Sequence, residues 1–263
     1  MRARDRSARL ARVLHPTEEA HIGVGRAHGA QVEKLDGALA LVHPAPAMRS
    51  FNCLSCWSPA ALPRLMSDTI SFYQARQRTP VIALTDRLPP AAHALLIEAG
   101  WQASAPRQLF MERSGPAPSA RSDLTIRPLS PALIAPFAAL IAESFGWSAA
   151  LQAQQHPLYQ NLLARKRGLH YVALIDDLLV GTASIEPAAA PYATSWGLYK
   201  VTTHPAYRGQ GIATTLVIRA LQDAAAAGAR NVFLYTNPDG PAVSIYERLG
   251  FAPLFCRTLY LWP

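Results

Sequence analysis

The residues of this 263-residue chain best suited to chemistry lie between Val201 and Thr214, written VTTHPAYRGQGIAT. Val201, Thr202 and Thr203 are β-branched and suit a strand. His204-Pro205 ends it, because proline fixes its own φ and turns its predecessor away from helix. Arg208, Gly209, Gln210 and Gly211 follow, then Ile212, Ala213 and Thr214. Glycines at alternate positions let the backbone turn tightly, so several amide N–H groups can point at one anion. A helix opening at Gly211 adds its own unsatisfied N–H groups and the positive end of its dipole. The chemistry this favours is phosphate binding, although RGQG alone fits a ligand-free turn as well. Cys53 and Cys56 form a lone CxxC. A metal site wants a second ligand pair and a redox site a helix starting between the thiols, whereas FNCLSCW reads as strand. No metal is expected, and the thiols read as buried and reduced.

Such a loop needs a strand before it and a long helix after it. The sequence predicts a strand ending at Thr203, a helix to Ala227, a strand over Asn231 to Tyr235, a helix around Tyr246 and a last strand at Thr258 to Leu261. Upstream, LTIRPL reads as a strand, Pro131 to Phe145 and Ala149 to Arg165 as helices, and Tyr171 to Ile175 with Val180 to Ile185 as a hairpin turning at Asp176-Asp177. In the first half, Ala38 to Val42, Phe51 to Trp57, Val81 to Leu84 and Leu109 to Met111 read as strands, with helices over Ala60 to Gln77 and Pro89 to Ala99. Ser114 to Ser122 has the composition of a linker.

Half of the residues are hydrophobic and 16% are charged, which argues against widespread disorder. No apolar run approaches a membrane span, and no membrane partner is expected. The net charge of +8 favours a polyanionic partner, and nucleic acid or a phosphorylated cofactor would satisfy it equally. Nucleic acid is not expected, because no helix-turn-helix, zinc or RNA-binding signature is present and the arginines are scattered outside residues 2 to 12. The Arg-rich start contains Asp5 and lacks the apolar core of a secretory signal, so it reads as a solvated helix and the location as cytoplasmic.

The wording Arg-x-x-Gly-x-Ala, after a strand ending in His-Pro and before an alanine-rich helix, resembles the acetyl-CoA motif of the GNAT superfamily of N-acetyltransferases. Ala242, Tyr246, Leu249, Gly250 and Phe251 resemble that family's closing helix and Gly-Phe turn, in the right order downstream. The resemblance implies an α/β (α+β) fold with a mixed, mostly antiparallel sheet flanked by helices. A second unit is expected, because Ala99-Gly100-Trp101 and Ile82 to Leu84 each lie 150 positions before Leu249-Gly250-Phe251 and Val232 to Leu234. In that first copy Ser58, Pro59 and Ala60 stand where Arg208, Gly209 and Gln210 stand in the second, so it reads as GNAT-like without a cofactor site, completing the sheet or walling the acceptor pocket. The expected division is a basic segment over 1–29, a degenerate domain over 30–113, a linker over 114–122 and a catalytic domain over 123–263.

What the resemblance implies chemically is acetyl transfer from acetyl-CoA to an amine acceptor. The strand Val201, Thr202, Thr203 would pair through its backbone with the pantetheine arm. Gly209, Gln210, Gly211, Ile212 and Ala213 would hold the pyrophosphate, with Thr214 as a hydroxyl donor and Arg208 shaping the loop or adding charge. Tyr246 would protonate the departing thiolate. The family commonly has asparagine seven residues before that tyrosine, where this chain has Asp239, with Asn237 two positions earlier; either is a candidate contact for the cofactor arm. Glu186, at the end of a central strand, is the first candidate for general base and Glu143 the second. Phe145, Trp147, Tyr192 and Trp196 are candidates for an aromatic acceptor pocket, and core packing explains them as readily.

Overall fold

The computed structural model describes residues 14–44, 48–119 and 124–263. The solvated helix expected over residues 1–13 lies outside them. The first half of the chain runs α1 (Pro16–Ala27), β1 (Gln31–Leu35), β2 (Ala38–Val42), β3 (Leu54–Cys56), α2 (Leu62–Gln74), β4 (Val81–Thr85), α3 (Pro90–Glu98), β5 (Gln102–Ala103) and β6 (Gln108–Ser114). The second half runs β7 (Thr125–Pro128), α4 (Ile134–Phe145), α5 (Ala149–Ala164), β8 (Leu169–Ile175), β9 (Leu178–Pro187), β10 (Ser195–Thr203), α6 (Ile212–Ala226), β11 (Asn231–Thr236), α7 (Ala242–Arg248) and β12 (Ala252–Leu261).

These elements form two compact units that interleave along the chain: residues up to Met111 with 235–243 and 253–263, and residues 112–234 with 244–252. In the first unit β1 to β2 and β2 to β3 are antiparallel, β3 to β4 is parallel, and β12 closes on β4 antiparallel with Thr85 opposite Arg257. Leu54, Leu62, Leu65, Tyr73, Ile82, Leu84 and Tyr260 share its core. Three elements here escaped the periodicity reading, the two-residue β5 among them. Strand β1, QVEKL, lies at the sheet margin with no fully buried residue, so it lacks an apolar face to reveal it. Helix α1 contains two glycines and buries Glu18 and His21 alongside Ile22 and Val24, which disguises its inward face. The expected strand over Phe51 to Trp57 is shorter: Phe51 closes a 3₁₀ turn, Asn52 bends to accept the His43 N–H at 2.9 Å, and pairing is confined to Leu54–Cys56.

In the second unit β7, β8, β9 and β10 follow one another antiparallel, and β10 to β11 is parallel. The succession antiparallel, antiparallel, parallel occurs in both units, preceded in the second by one more antiparallel pair. Asp176 and Asp177 both have positive φ, 48° and 61°, the geometry of a tight hairpin turn whose twist matches its strands. Helices α4 and α5 bury Phe137, Ile141, Tyr159 and Leu162 against Val172 and Leu179. The other face takes α6, whose close approach depends on Gly181: a Cβ there would lie 2.7 Å from Ile212 Cγ2 and 2.9 Å from Leu216 Cδ1. Among the described residues no helix is long and apolar enough to cross a membrane, and no cluster of three metal-ligating side chains occurs.

Candidate active site

Strand β10 is paired differently along its two edges. With β11 it pairs only at Ser195, Trp196 and Gly197, whereas with β9 its pairing continues, past a register shift, to Thr203 opposite Gly181. Among the described residues, its β11 side therefore carries no ladder partner from Leu198 to Thr203, and Val201 and Thr203 lie on that stretch. A bulge between Tyr199 and Thr202 interrupts the other side, where the Thr182 hydroxyl donates to the Lys200 carbonyl at 2.6 Å. The Thr202 hydroxyl is buried against that of Ser144. Among the described residues the buried Thr203 hydroxyl oxygen has no hydrogen-bond partner.

The loop beyond has the geometry that its sequence foretells. Gly209 and Gly211 have φ of +79° and +77°, and a Cβ at either would meet nothing within 4 Å. Glycine is needed there for the backbone turn, and the turn faces open space. Arg208 folds back, its Nε donating to the Thr203 carbonyl at 3.3 Å. Gly211 caps α6 without a side-chain hydrogen bond, and the first helical bond runs from Thr215 N–H to the Gly211 carbonyl. The N–H groups of Ile212, Ala213 and Thr214 thus have no acceptor within the helix, at the positive end of fifteen aligned residues. A cavity of about 450 Å³ borders the same turn at Gln210, Ile212 and Thr215, with Leu174, Ile175 and Asp176 opposite. Its β8 wall carries no motif that a sequence reading would detect.

Tyr246 is buried on α7, its ring edge-on to Phe251 at 5.7 Å, and burial raises its hydroxyl pKa above the ordinary tyrosine range. The helix end is tied down by Arg113, whose Nε donates to the Leu249 carbonyl at 2.7 Å. Asn237 and Asp239 belong to the segment grouped with the first unit, where Asn237 Oδ1 accepts the Asp239 N–H at 3.0 Å.

Glu186 is 5% exposed and shares the α4/α5 face of β9 with Thr182 and Ser184. Its register partner is Gly197, over whose backbone the Tyr199 ring lies so closely that a Cβ would be 2.4 Å from it. Ser184 Oγ lies 2.9 Å from His170 Nδ1 and 3.4 Å from the Tyr159 hydroxyl. Because His170 Nε2 faces the Arg167 carbonyl at 2.9 Å, and a carbonyl only accepts, the imidazole proton is assigned to Nε2 and the Ser184 hydroxyl donates to Nδ1. Burial, then the Glu186 charge, raises the Tyr159 pKa. Burial lowers Lys200 to about 8, against the opposing pull of Glu186. The Lys200 ammonium lies 4.5 Å above the Trp147 ring, which stacks with the half-exposed Phe145 at 5.8 Å. Glu143 is exposed, Trp196 lies on the opposite face of β10 from Tyr199, and Tyr192 sits in the loop before β10. The structure therefore brings Phe145 and Trp147 together beside Lys200. Tyr159, His170, Ser184 and Lys200 lie beside the expected residues; each is a single polar residue whose neighbours come from other elements.

Residues 136–251 match the model of the acetyltransferase (GNAT) family. That segment is a GNAT domain. The fold agrees with solved structures over nearly the whole chain. One is a GCN5-related N-acetyltransferase from Kribbella flavida, 18% identical over 93% of this chain and 95% of that one, with a TM-score of 0.70. Another, from Sphaerobacter thermophilus and of the same description, is 17% identical over 94% and 91%, at 0.57. A tandem GNAT protein from the clavulanic acid biosynthesis pathway is 17% identical over 89% and 78%, at 0.58. No curated protein gives a significant match. The family generally carries out acyl-CoA-dependent acetyl transfer, and the GNAT domain holds both motifs in which that resemblance resides.

Proposed function

We propose that the GNAT domain moves an acetyl group from acetyl-CoA to the primary amine of a small molecule or peptide by direct attack. The observation that carries this reading is the one-sided edge of β10 from Leu198 to Thr203, followed after a 3₁₀ turn over Pro205–Tyr207 by a left-handed glycine turn and an uncapped helix. An extended pantetheine arm suits such an edge, and a pyrophosphate suits the N–H groups of Gly209 to Ala213, with the hydroxyls of Thr203 and Thr214 as further donors. When bound, acetyl-CoA supplies an activated thioester carbonyl and a thiol leaving group.

The chain's own residues manage the protons. Glu186 takes a proton from the incoming ammonium, directly or through water, which frees the nitrogen lone pair. As the new C–N bond forms and the C–S bond breaks, Tyr246, which burial keeps protonated, gives its proton to the sulfur. Phe145 and Trp147 provide an apolar ledge for the acceptor. The first unit is read as lacking a cofactor site, because α2 is preceded by a 3₁₀ turn over Pro59–Ala61 in place of the two glycines, and Pro59 has no N–H to offer. The test is release of free CoA thiol when the full chain meets acetyl-CoA and a panel of amines. Release with at least one amine supports transfer. Binding of acetyl-CoA without release across the panel supports a non-catalytic acyl-CoA-binding regulator or scaffold instead.

A further inference from the structure

Glu186 has a glycine beside it on each of the two neighbouring strands. On the β10 side its register partner is Gly197, over which the Tyr199 ring lies. On the β8 side the ladder ends with Leu169 opposite Ile185, and the residue before Leu169 is Gly168. A Cβ built on Gly168 would stand 2.7 Å from Glu186 Cγ and 2.9 Å from the Ile185 carbonyl oxygen. Both distances are well inside van der Waals contact, so the bare Gly168 backbone lies directly against the Glu186 side chain. Because Cγ sets the direction of every atom beyond it, this contact restricts χ1 of Glu186 and hence where its carboxyl group points. Gly168 also has φ of +72°, a left-handed conformation that glycine adopts as readily as its right-handed counterpart.

The loop that carries Gly168 is itself held. Lys166 turns the chain after α5 with φ of 51°, and the Arg167 N–H donates to the Leu162 carbonyl at 2.8 Å. His170 then donates from Nε2 to the Arg167 carbonyl and accepts at Nδ1 from Ser184, which stands two residues before Glu186 on β9. One imidazole thus ties the loop to the strand that carries the carboxylate. Resting on the transfer reading above, we propose that Gly168 is a positioning residue for Glu186, and that its loop, latched by His170, holds the carboxylate in the orientation from which it takes the acceptor's proton. A shift of about 1 Å in such a group costs up to about a hundredfold in rate.

The test is Gly168→Ala in the full chain, set against Gly228→Ala. Gly228 has φ of +92°, and a Cβ there meets nothing within 4 Å, so this second variant carries the left-handed penalty without the contact. Gly168→Ala is expected to lower kcat/KM by about tenfold or more and to move the acid limb of its pH profile by about half a unit or more. Gly228→Ala should leave the limb in place and kcat/KM within about twofold of wild type. In a Glu186→Gln background Gly168→Ala should cost less than about twofold more, because no base remains to be positioned. An equal loss with and without Glu186 would overturn the proposal and make Gly168 only a spacer for the Ile185 backbone. Carbon-13 NMR of the Glu186 carboxyl carbon, assigned by its absence in Glu186→Gln, reads the same effect without turnover. Its titration midpoint should move in Gly168→Ala and stay in Gly228→Ala. If Glu186→Gln leaves the pH profile intact, the base reading fails, while a displaced midpoint still establishes that Gly168 orients Glu186. An unchanged midpoint sinks the proposal whatever the kinetics. Should Gly168→Ala not fold, His170→Phe takes its place, since it keeps a ring edge-on to Tyr159 and removes the tie to Arg167. The same displacement of limb and midpoint is expected, and wild-type values in a folded His170→Phe would overturn the proposal.

Discussion

Burial acts on Tyr246 and Lys200 in opposite directions for one reason: it disfavours whichever form is charged. Tyr246 holds its proton more firmly, so its hydroxyl remains a donor at any working pH. Phe at 246 keeps the ring that meets Phe251 and removes only the proton. Tyr246→Phe is therefore expected to lower kcat by about tenfold to a hundredfold with the affinity for acetyl-CoA changed less than about twofold, measured by steady-state kinetics and calorimetry. Unchanged turnover would remove the hydroxyl from the mechanism. Lys200 gives up its proton more readily, at about 8 instead of 10.5, because desolvation outweighs the Glu186 charge. Its cationic form is complete well below pH 8 and declines as pH rises through that value.

At the scale of elements, the N-terminus of α6 and the end of β10 form one device, a backbone edge that continues into a fan of N–H groups. Gly211 is its pivot. An Ala at 211 meets nothing within 4 Å, so its effect is conformational: at φ +77° a Cβ costs about 1 kcal/mol, and relaxing it rotates the N–H groups at the cap. Gly211→Ala is expected to weaken acetyl-CoA binding by about tenfold in calorimetry while the melting temperature falls by only a few degrees. This part of the molecule was legible in the sequence, because glycine, proline and β-branched residues state their backbone preferences locally. The Asp176-Asp177 hairpin was legible for the same reason. The surroundings of Glu186 were only partly so. Glu186 and the pair Phe145 and Trp147 stood out as candidates, but His170, Ser184, Tyr159 and Lys200 meet through the register of β8, β9 and β10 and the seating of α5. No short window of sequence contains that information.

For the whole molecule, the order of the sequence and the membership of the compact units part company at the C-terminus. The match to the GNAT family ends at residue 251, and residues 253–263 belong to the first unit. There β12 pairs with β4 from Thr258 opposite Leu84 to Leu261 opposite Val81, brings Tyr260 into the core beside Leu96 and Trp101, and inserts the fully buried Arg257. Arg257 Nε donates to Gln108 Oε1 at 2.9 Å, and Nη2 lies 3.3 Å from His21 on α1. A repeat comparison suggests two self-contained halves, because it detects similar local segments and carries no information about which strand a terminal segment joins. Deleting residues 253–263 should therefore damage the first unit. Burial of one large side chain such as Tyr260 is worth about 3–5 kcal/mol, against a total stability of about 5–15 kcal/mol for a domain, so loss of Tyr260, Leu259 and five register pairs exceeds what the unit can absorb. The measurement is amide hydrogen exchange in the truncated chain: Val81 to Thr85 should lose their protection. Retained protection there would mean that β4 is held by β3 and α2 alone. Tyr260→Ala supplies the graded version, weakening the same amides while leaving β12 in place.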